Sequence, residues 1–248
     1  MNMVEIKPIF VSTKNVRNFD VMLDGLALAK GEGRLGCVAS PPGRGKTFTA
    51  QVYAANHDCI YFRVASIWKH SGLDFMQALC QEVGITPPPG RKGRCYSEVV
   101  LRLRGTDRPV FIDEVQRPPK DFLNVILDLS DATACPFILL GEEELKGLMQ
   151  ENKRVWSRTY QLLEFDPISP GDIIFYVREA AGLRISKEVA GILHKNSSGD
   201  FRIVRRDLLA LVQFANARGT QEIDEELARI AVTVGLKGSA GNGKTARS

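Results

Sequence analysis

The sequence predicts an α/β chain: a five-stranded parallel sheet sandwiched by helices, followed by a small helical domain. Three observations carry this. Short apolar runs alternate with segments of helical periodicity up to Phe165, the strand pattern stops after Pro167, and helix-capping signals then follow one another to about residue 235. A chain of 248 residues, 44% hydrophobic and 25% charged, can bury one substantial core or two small ones.

Each element has its own reason. The runs 35–40, 59–64, 110–114, 137–141 and 162–165 are short and almost continuously apolar, as strands buried on both faces are. Helical spacing of apolar residues marks 48–56, 72–83, 96–104, 120–129 and 143–151. Strand, helix, strand repetition implies parallel pairing. Beyond Pro167, Ser169 with Pro170 is an N-cap followed by a first-turn proline, opening a helix over 171–181. Ser186 caps a second helix ending near His194. Asp200 caps a third, with Ile203, Leu208, Leu209, Leu211, Val212 and Phe214 apolar before Gly219, and 222–232 makes a fourth. The expected domains are 1–165, a helical lid over 166–235, and a flexible basic tail over 236–248.

Composition excludes several classes. Lys plus Arg total 33 against 29 for Asp plus Glu, and a net charge of +4 is too mild by itself to imply nucleic acid. There is no apolar run long enough for a membrane span, and Glu5, Lys7 and Pro8 interrupt the first stretch, so no signal-peptide core is present. A soluble, cytoplasmic protein with no membrane partner is expected. The five cysteines are never spaced as CxxC and the three histidines lie far from any cysteine pair, which removes disulfide and zinc frameworks. Cys37, Cys59 and Cys135 read as small apolar residues of buried strands.

The chemistry concentrates in two places. Ser40-Pro-Pro-Gly-Arg-Gly-Lys-Thr47 follows an expected strand and opens an expected helix, the context of a phosphate-binding loop. Gly43 and Gly45 let the backbone curl until its N–H groups converge on phosphate oxygens, and the following helix adds its positive end. Pro42, Gly43, Arg44, Gly45, Lys46, Thr47 and Phe48 form the expected nucleotide-binding segment, with Lys46 on the β and γ phosphates of ATP and Thr47 on Mg2+. Ser40 stands where the usual pattern has its first glycine. A second match, residues 238–245, fits the short pattern better but has only three residues after it, too few for a helix, and is rejected as part of the tail. About 66 residues beyond the first loop, Arg108-Pro-Val-Phe-Ile-Asp-Glu114 is an apolar strand ending in two acids. That places Asp113 near the Mg2+ shell and Glu114 where it can polarise a water for in-line attack.

With both motifs in place the chain resembles the AAA+ ATPases, and within them the MuB/TnsC/ExeA group, over roughly residues 15–209. The marks are Asp113-Glu-Val-Gln-Arg-Pro-Pro, Leu139-Leu-Gly-Glu-Glu-Glu-Leu145, Ser157-Arg158 before the fifth strand, Pro167-Ile-Ser, and Gly199-Asp-Phe-Arg202. The resemblance implies an arginine finger at Arg158 or its neighbour Arg154, reaching the nucleotide of the next subunit, and a lid arginine at Arg202. Gln116 stands where a polar residue often follows the acidic pair. Glu142 stands at the sensor 1 position, where the group usually has Asn, which implies slow hydrolysis of ATP to ADP and phosphate, stimulated by DNA or a partner.

Nucleic-acid contacts rest on local charge. Arg91, Lys92, Arg94, Arg102, Arg104 and Arg108 face only Glu98 and Asp107 over eighteen residues. The loop 87–94 is proline-stiffened at one end and basic at the other, suited to presenting Arg91, Lys92 and Arg94 to phosphates; a solvated basic loop is the alternative. Trp68 and Lys69 follow the second strand, a position that lines the central channel in DNA-binding members of the group; packing of Trp68 under the next helix is the alternative. No base-reading motif is visible, so contacts to the backbone of double-stranded DNA are expected. The resemblance thus implies a MuB-like ATPase that self-assembles on duplex DNA and delivers it to a transposase. An ExeA-like ATPase for envelope assembly and a nucleotide switch without turnover are the alternatives. Because the sequence starts close to the expected ATPase core, a separate N-terminal helix-turn-helix domain is not expected.

Overall fold

The structure, a computed structural model, describes residues 3–30, 34–67, 72–117 and 121–240. The first unit, Lys14–Phe165, holds five strands: β1 (Arg34–Ala39), β2 (Ile60–Arg63), β3 (Val110–Asp113), β4 (Pro136–Gly141) and β5 (Thr159–Leu163). They pair in the order β2-β3-β4-β1-β5, all parallel. The helices are α1 (Lys14–Leu28), α2 (Lys46–Asn56), α3 (Gly72–Glu82), α4 (Lys92–Leu103), α5 (Phe122–Thr133), α6 (Glu143–Glu151) and α7 (Lys153–Ser157). Each strand's period of two feeds a different core on each face. Leu35, Cys37, Val110, Ile112, Phe137 and Leu139 join one cluster, while Val38, Phe111, Ile138 and Leu140 join the other with Phe19, Met22, Leu23 and Leu26 of α1.

Four differences from the sequence reading have physical causes. Helix α1 was not expected, although Phe19, Met22, Leu23 and Leu26 repeat at helical spacing and are buried. Helix α4 begins at Lys92 rather than at residue 96, so Lys92 and Arg94 stand on a helix's first turn and not in a loop. Strand β5 begins at Thr159, earlier than expected, because α7 ends at Ser157 and the chain then joins β1 with Leu35 opposite Thr159. As an edge strand it needs no continuous apolar run, and Tyr160 and Leu162 are exposed. Residues 236–240, expected in the flexible tail, continue a helix, so the rejected second match, 238–245, opens inside a helix; residues 241–248 lie outside the described ones.

The second unit takes residues from Asp166 onward together with those up to Thr13, which the sequence reading had given to the first domain. Its elements are α8 (Pro170–Ala181), β6 (Arg184–Ile185), α9 (Lys187–Ser197), α10 (Phe201–Arg218), β7 (Glu222–Ile223) and α11 (Glu225–Ala240). Ser169 and Asp172 form a reciprocal capping box, and Ser186 and Asp200 each accept a backbone N–H of the helix they open. Strands β6 and β7 pair in parallel where only helices were expected. Val4, Ile6, Ile9 and Val11 pack into this unit's core, and Asn216 clips the chain at both backbone atoms of Val4, accepting from its N at 2.7 Å and donating to its O at 3.0 Å. Asp207 is fully buried, takes hydrogen bonds from Asn196 and Arg206, and has its carboxyl pushed upward by burial. Among the described residues no helix is long and apolar enough to cross a membrane.

Arg34 bolts the end of the first unit's sheet where the strands begin. Its side chain, 1% exposed, donates to the Leu26 carbonyl at the end of α1 (2.9 Å), the Ala134 carbonyl after α5 (2.6 Å) and the Asp107 carboxylate. Burial pushes the Asp107 carboxyl up, but its hydrogen bond and charge from Arg34, with Lys30 adding to them, outweigh this and hold it below its ordinary value. Arg34→Met leaves two carbonyls without their donor, and we expect it to cost about 3 kcal/mol in urea unfolding near neutral pH. Stability from a lowered carboxyl pKa is complete above the unfolded value of about 3.9 and is lost as pH falls through the lower folded value, so the gap to wild type should narrow at about pH 3.

Candidate nucleotide-binding site

The strand order brings the two motifs together. The loop after β1 and the acids after β3 are separated only by the end of β4, at the edge where the parallel strands all finish. Gly43 (φ 79°) and Gly45 (φ 96°) hold the left-handed conformations that curl residues 40–47 into α2. Lys46 is buried, and its Nζ donates to the Ser40 carbonyl (2.5 Å), the Pro41 carbonyl (3.0 Å) and the Ser40 hydroxyl (3.2 Å). A phosphate oxygen is a stronger acceptor for an ammonium than a peptide carbonyl, so this arrangement suits an anionic ligand. Ser40, the departure from the usual glycine, is buried and serves the lysine through its hydroxyl. Pro42 and Phe48 are exposed at the loop's rim, and Arg44 is half-buried on it.

Thr47 Oγ1 donates to Asp113 Oδ2 at 2.8 Å, joining the two motifs directly. Asp113 is 2% exposed, its Oδ1 accepts the Glu114 N–H at 3.0 Å, and its Oδ2 also accepts the Tyr61 hydroxyl at 3.0 Å. A hydroxyl and a carboxylate side by side are hard oxygen donors of the kind Mg2+ takes. Glu114 has φ 63°, a strained backbone for a non-glycine residue that turns its side chain away from the strand. Three cationic or amide groups hold its carboxylate: Arg63 Nη2 on Oε1 (2.6 Å), Gln116 Nε2 on Oε2 (2.9 Å) and Arg117 Nη2 on Oε2 (3.2 Å). The carbonyl of Gln116 is buried without a hydrogen-bond partner and lies against Gly141, where a Cβ would come within 2.6 Å of it. Glu142 is the N-cap residue of α6, with no side-chain cap bond.

Tyr61, Arg63 and Arg117 escaped the sequence reading. The signal for the first two is the alternation Ile-Tyr-Phe-Arg of β2, which sets Tyr61 and Arg63 on one face, but only the pairing of β2 with β3 lays Arg63 opposite Asp113. Burial first, then the Asp113 charge and hydrogen bond, push the Tyr61 hydroxyl well above its ordinary value, so it remains a donor. The hydrogen bond to Glu114 raises Arg63 further.

The remaining expected residues lie elsewhere. Arg158 caps α7 with its carbonyl bonded to Leu35 N, and its Nε lies 3.9 Å from Asp131; Arg154 donates to Asp128 at 2.6 Å. Both stand where the strands begin. Leu35 and Ser40 stand five residue steps apart along β1, which at the usual strand rise is about 17 Å, beyond the reach of an arginine side chain to its own phosphate loop. Arg202 belongs to the helical unit, on the first turn of α10, and pairs with its own cap Asp200 at 3.3 Å. Arg91, Lys92 and Arg94 are exposed around the start of α4, with the Lys92 ammonium 5.5 Å from the Phe122 ring centre. Trp68 and Lys69 lie outside the described residues.

Comparison with known proteins agrees with this geometry. Residues 29–149 match the family model described as AAA domain. The Mu-like prophage FluMu DNA transposition protein B of Haemophilus influenzae is 23% identical over 206 residues, 79% of this chain and 70% of that protein. The ATP-dependent target DNA activator B of Escherichia phage Mu is 23% identical over 235 residues, 90% of this chain and 72% of that protein. Among solved structures, Cdc6p from Pyrobaculum aerophilum superposes with a TM-score of 0.67 at 15% identity, over 93% of this chain and 71% of that one. With a phosphate loop, an acidic strand end and this strand order in one unit, the chain has the fold of the AAA+ P-loop NTPases, and its sequence resembles the Mu-type transposition proteins B.

Proposed function

We propose that the protein binds and slowly hydrolyses ATP with Mg2+, assembles with copies of itself on duplex DNA, and presents that DNA to a transposase in the cytoplasm. The observation that carries this is the direct joining of the loop threonine to the acid of β3, Thr47 to Asp113, beside Lys46 and Glu114. In this reading Lys46 holds the β and γ phosphates, the curled loop from Pro42 to Phe48 cradles them, and Thr47 and Asp113 hold the metal, which supplies charge neutralisation on the phosphates. Glu114 takes a proton from the attacking water. Its carboxylate must first loosen its bonds to Arg63, Arg117 and Gln116, which supports slow turnover that DNA or a partner stimulates. Arg158 or Arg154 acts on a neighbouring copy, since neither reaches its own loop, and Arg202 acts as the lid arginine.

The DNA and transposase roles are supported by the relatives, one described as a DNA transposition protein and another as a target DNA activator. They are also supported by the exposed Arg91, Lys92 and Arg94. A second reading, a nucleotide switch with little turnover, is favoured by the fully bonded carboxylate of Glu114; absence of turnover in the wild type with and without duplex DNA selects it.

Lys46→Ala is expected to weaken ATP binding by about 3 kcal/mol, roughly a hundredfold, because no backbone group replaces its charge. Equilibrium titration with a fluorescent ATP analogue measures this, and unchanged affinity rejects the site.

Mixing tests the shared site. Glu114→Gln and Arg158→Ala proteins should each lack turnover yet recover part of it together, because one offers a working finger and the other a working base. Arg154→Ala in the same assay decides which arginine is the finger. Mixtures that co-assemble and never recover activity count against action in trans.

Neutralising Arg91, Lys92 and Arg94 together should weaken binding to all duplexes about equally. It should also flatten the slope of log affinity against log salt by about three units. ATP should strengthen wild-type binding, since stacked copies repeat the same contacts. Duplex binding absent at low salt with both ATP and ADP moves the preference to the envelope-assembly alternative.

A further inference from the structure

We infer that Tyr61 is a positioning residue for the metal-holding acid, fixing the rotation of the Asp113 carboxylate so that it meets Mg2+ in one orientation. This rests on the reading of Thr47 and Asp113 as the metal-holding pair. The two oxygens of Asp113 are pinned from different sides. Oδ1 accepts the Glu114 backbone N–H at 3.0 Å, and Oδ2 accepts Tyr61 Oη at 3.0 Å and Thr47 Oγ1 at 2.8 Å. The threonine hydroxyl is itself the group that turns to the metal, so it cannot also be the lasting anchor of the carboxylate. Tyr61 can, because its ring is built into the β2 edge and lies opposite Phe111 in the ladder. A half-buried aromatic ring has little rotational freedom, and its hydroxyl adds no negative charge to compete for the cation.

A second thread runs through the same hydroxyl. Gln51 lies one turn beyond Thr47 on α2, and its Nε2 donates to Tyr61 Oη at 3.4 Å, a long bond. The helix that opens at the phosphate loop therefore meets Asp113 twice, directly through Thr47 and indirectly through Gln51 and Tyr61. The Arg63 guanidinium, whose Nε stands 3.8 Å from Asp113 Oδ2, supplies charge but does not replace the directional hydroxyl.

Removing an outer-shell partner of a metal ligand typically costs about 10- to 100-fold in metal affinity or activity. Tyr61→Phe keeps the ring and deletes the hydroxyl. The test is equilibrium binding of a non-hydrolysable ATP analogue across a Mg2+ titration, with thermal unfolding of the same protein without nucleotide. We expect the Mg2+ midpoint to rise about tenfold, nucleotide affinity in excess chelator to stay within twofold, and the melting temperature to stay close to wild type. Asp113→Asn is the reference. If it shifts the Mg2+ midpoint and Tyr61→Phe does not, Tyr61 has no positioning role. Loss of nucleotide affinity by Tyr61→Phe equally with and without Mg2+ makes its role general packing and overturns the inference too. If Asp113→Asn itself leaves the Mg2+ dependence unchanged, the metal-holding pair is misassigned and the inference falls with it.

Discussion

The parallel ladder β3-β4-β1 is the constraint on which the site depends. Hydrogen bonding in register aligns the three strand ends, so that the loop leaving β1 and the acids leaving β3 meet across the end of β4. A slip of one residue in either pairing would turn every apolar side chain to the wrong core and carry Asp113 away from Thr47. The double burial of these strands therefore fixes geometry as well as stability. Arg34 serves the same end from the far side, joining three segments where the strands begin.

Charge at the site is balanced more tightly than a pair of adjacent acids suggests. Asp113 is committed to hydroxyl and backbone donors, Glu114 to two guanidinium groups and an amide. The two carboxylates stand next to each other in the chain and share the charge of Arg63, yet each takes its short side-chain hydrogen bonds from its own donors, which suits one to hold a cation and the other to exchange a proton. The left-handed backbone at Glu114 makes this separation possible, because an extended residue there would continue the line of β3.

Much of this was legible in the sequence because its signals are local. Gly43, Gly45, Lys46 and Thr47 lie within one turn of chain, and the caps at Ser169, Ser186 and Asp200 each act within three residues. The strands of the sheet's interior were legible because burial on both faces leaves polar residues only at strand ends, as at Arg34 and Asp113. What escaped depends on pairing between distant segments. Tyr61 and Arg63 gain their roles only from lying beside β3, and Arg117 from reaching Val64 and Glu114 together. Helix α1 escaped although Thr13 stands directly before its apolar stripe, and the start of β5 escaped because Thr159, the exposed Tyr160 and Gln161 break the apolar run that Leu162 and Leu163 continue.

The clip between Val4 and Asn216 spans 212 residues of chain. Contacts of such long sequence separation form late, because loop-closure entropy must be overcome before they contribute. The helical unit is consequently not built from one continuous stretch of chain: part of its core comes from residues 4–11, which the whole sheet unit separates in sequence from the rest. Cutting the chain before Asp166 would therefore leave the helical unit without Val4, Ile6, Ile9 and Val11 and uncover the apolar surface on which they pack.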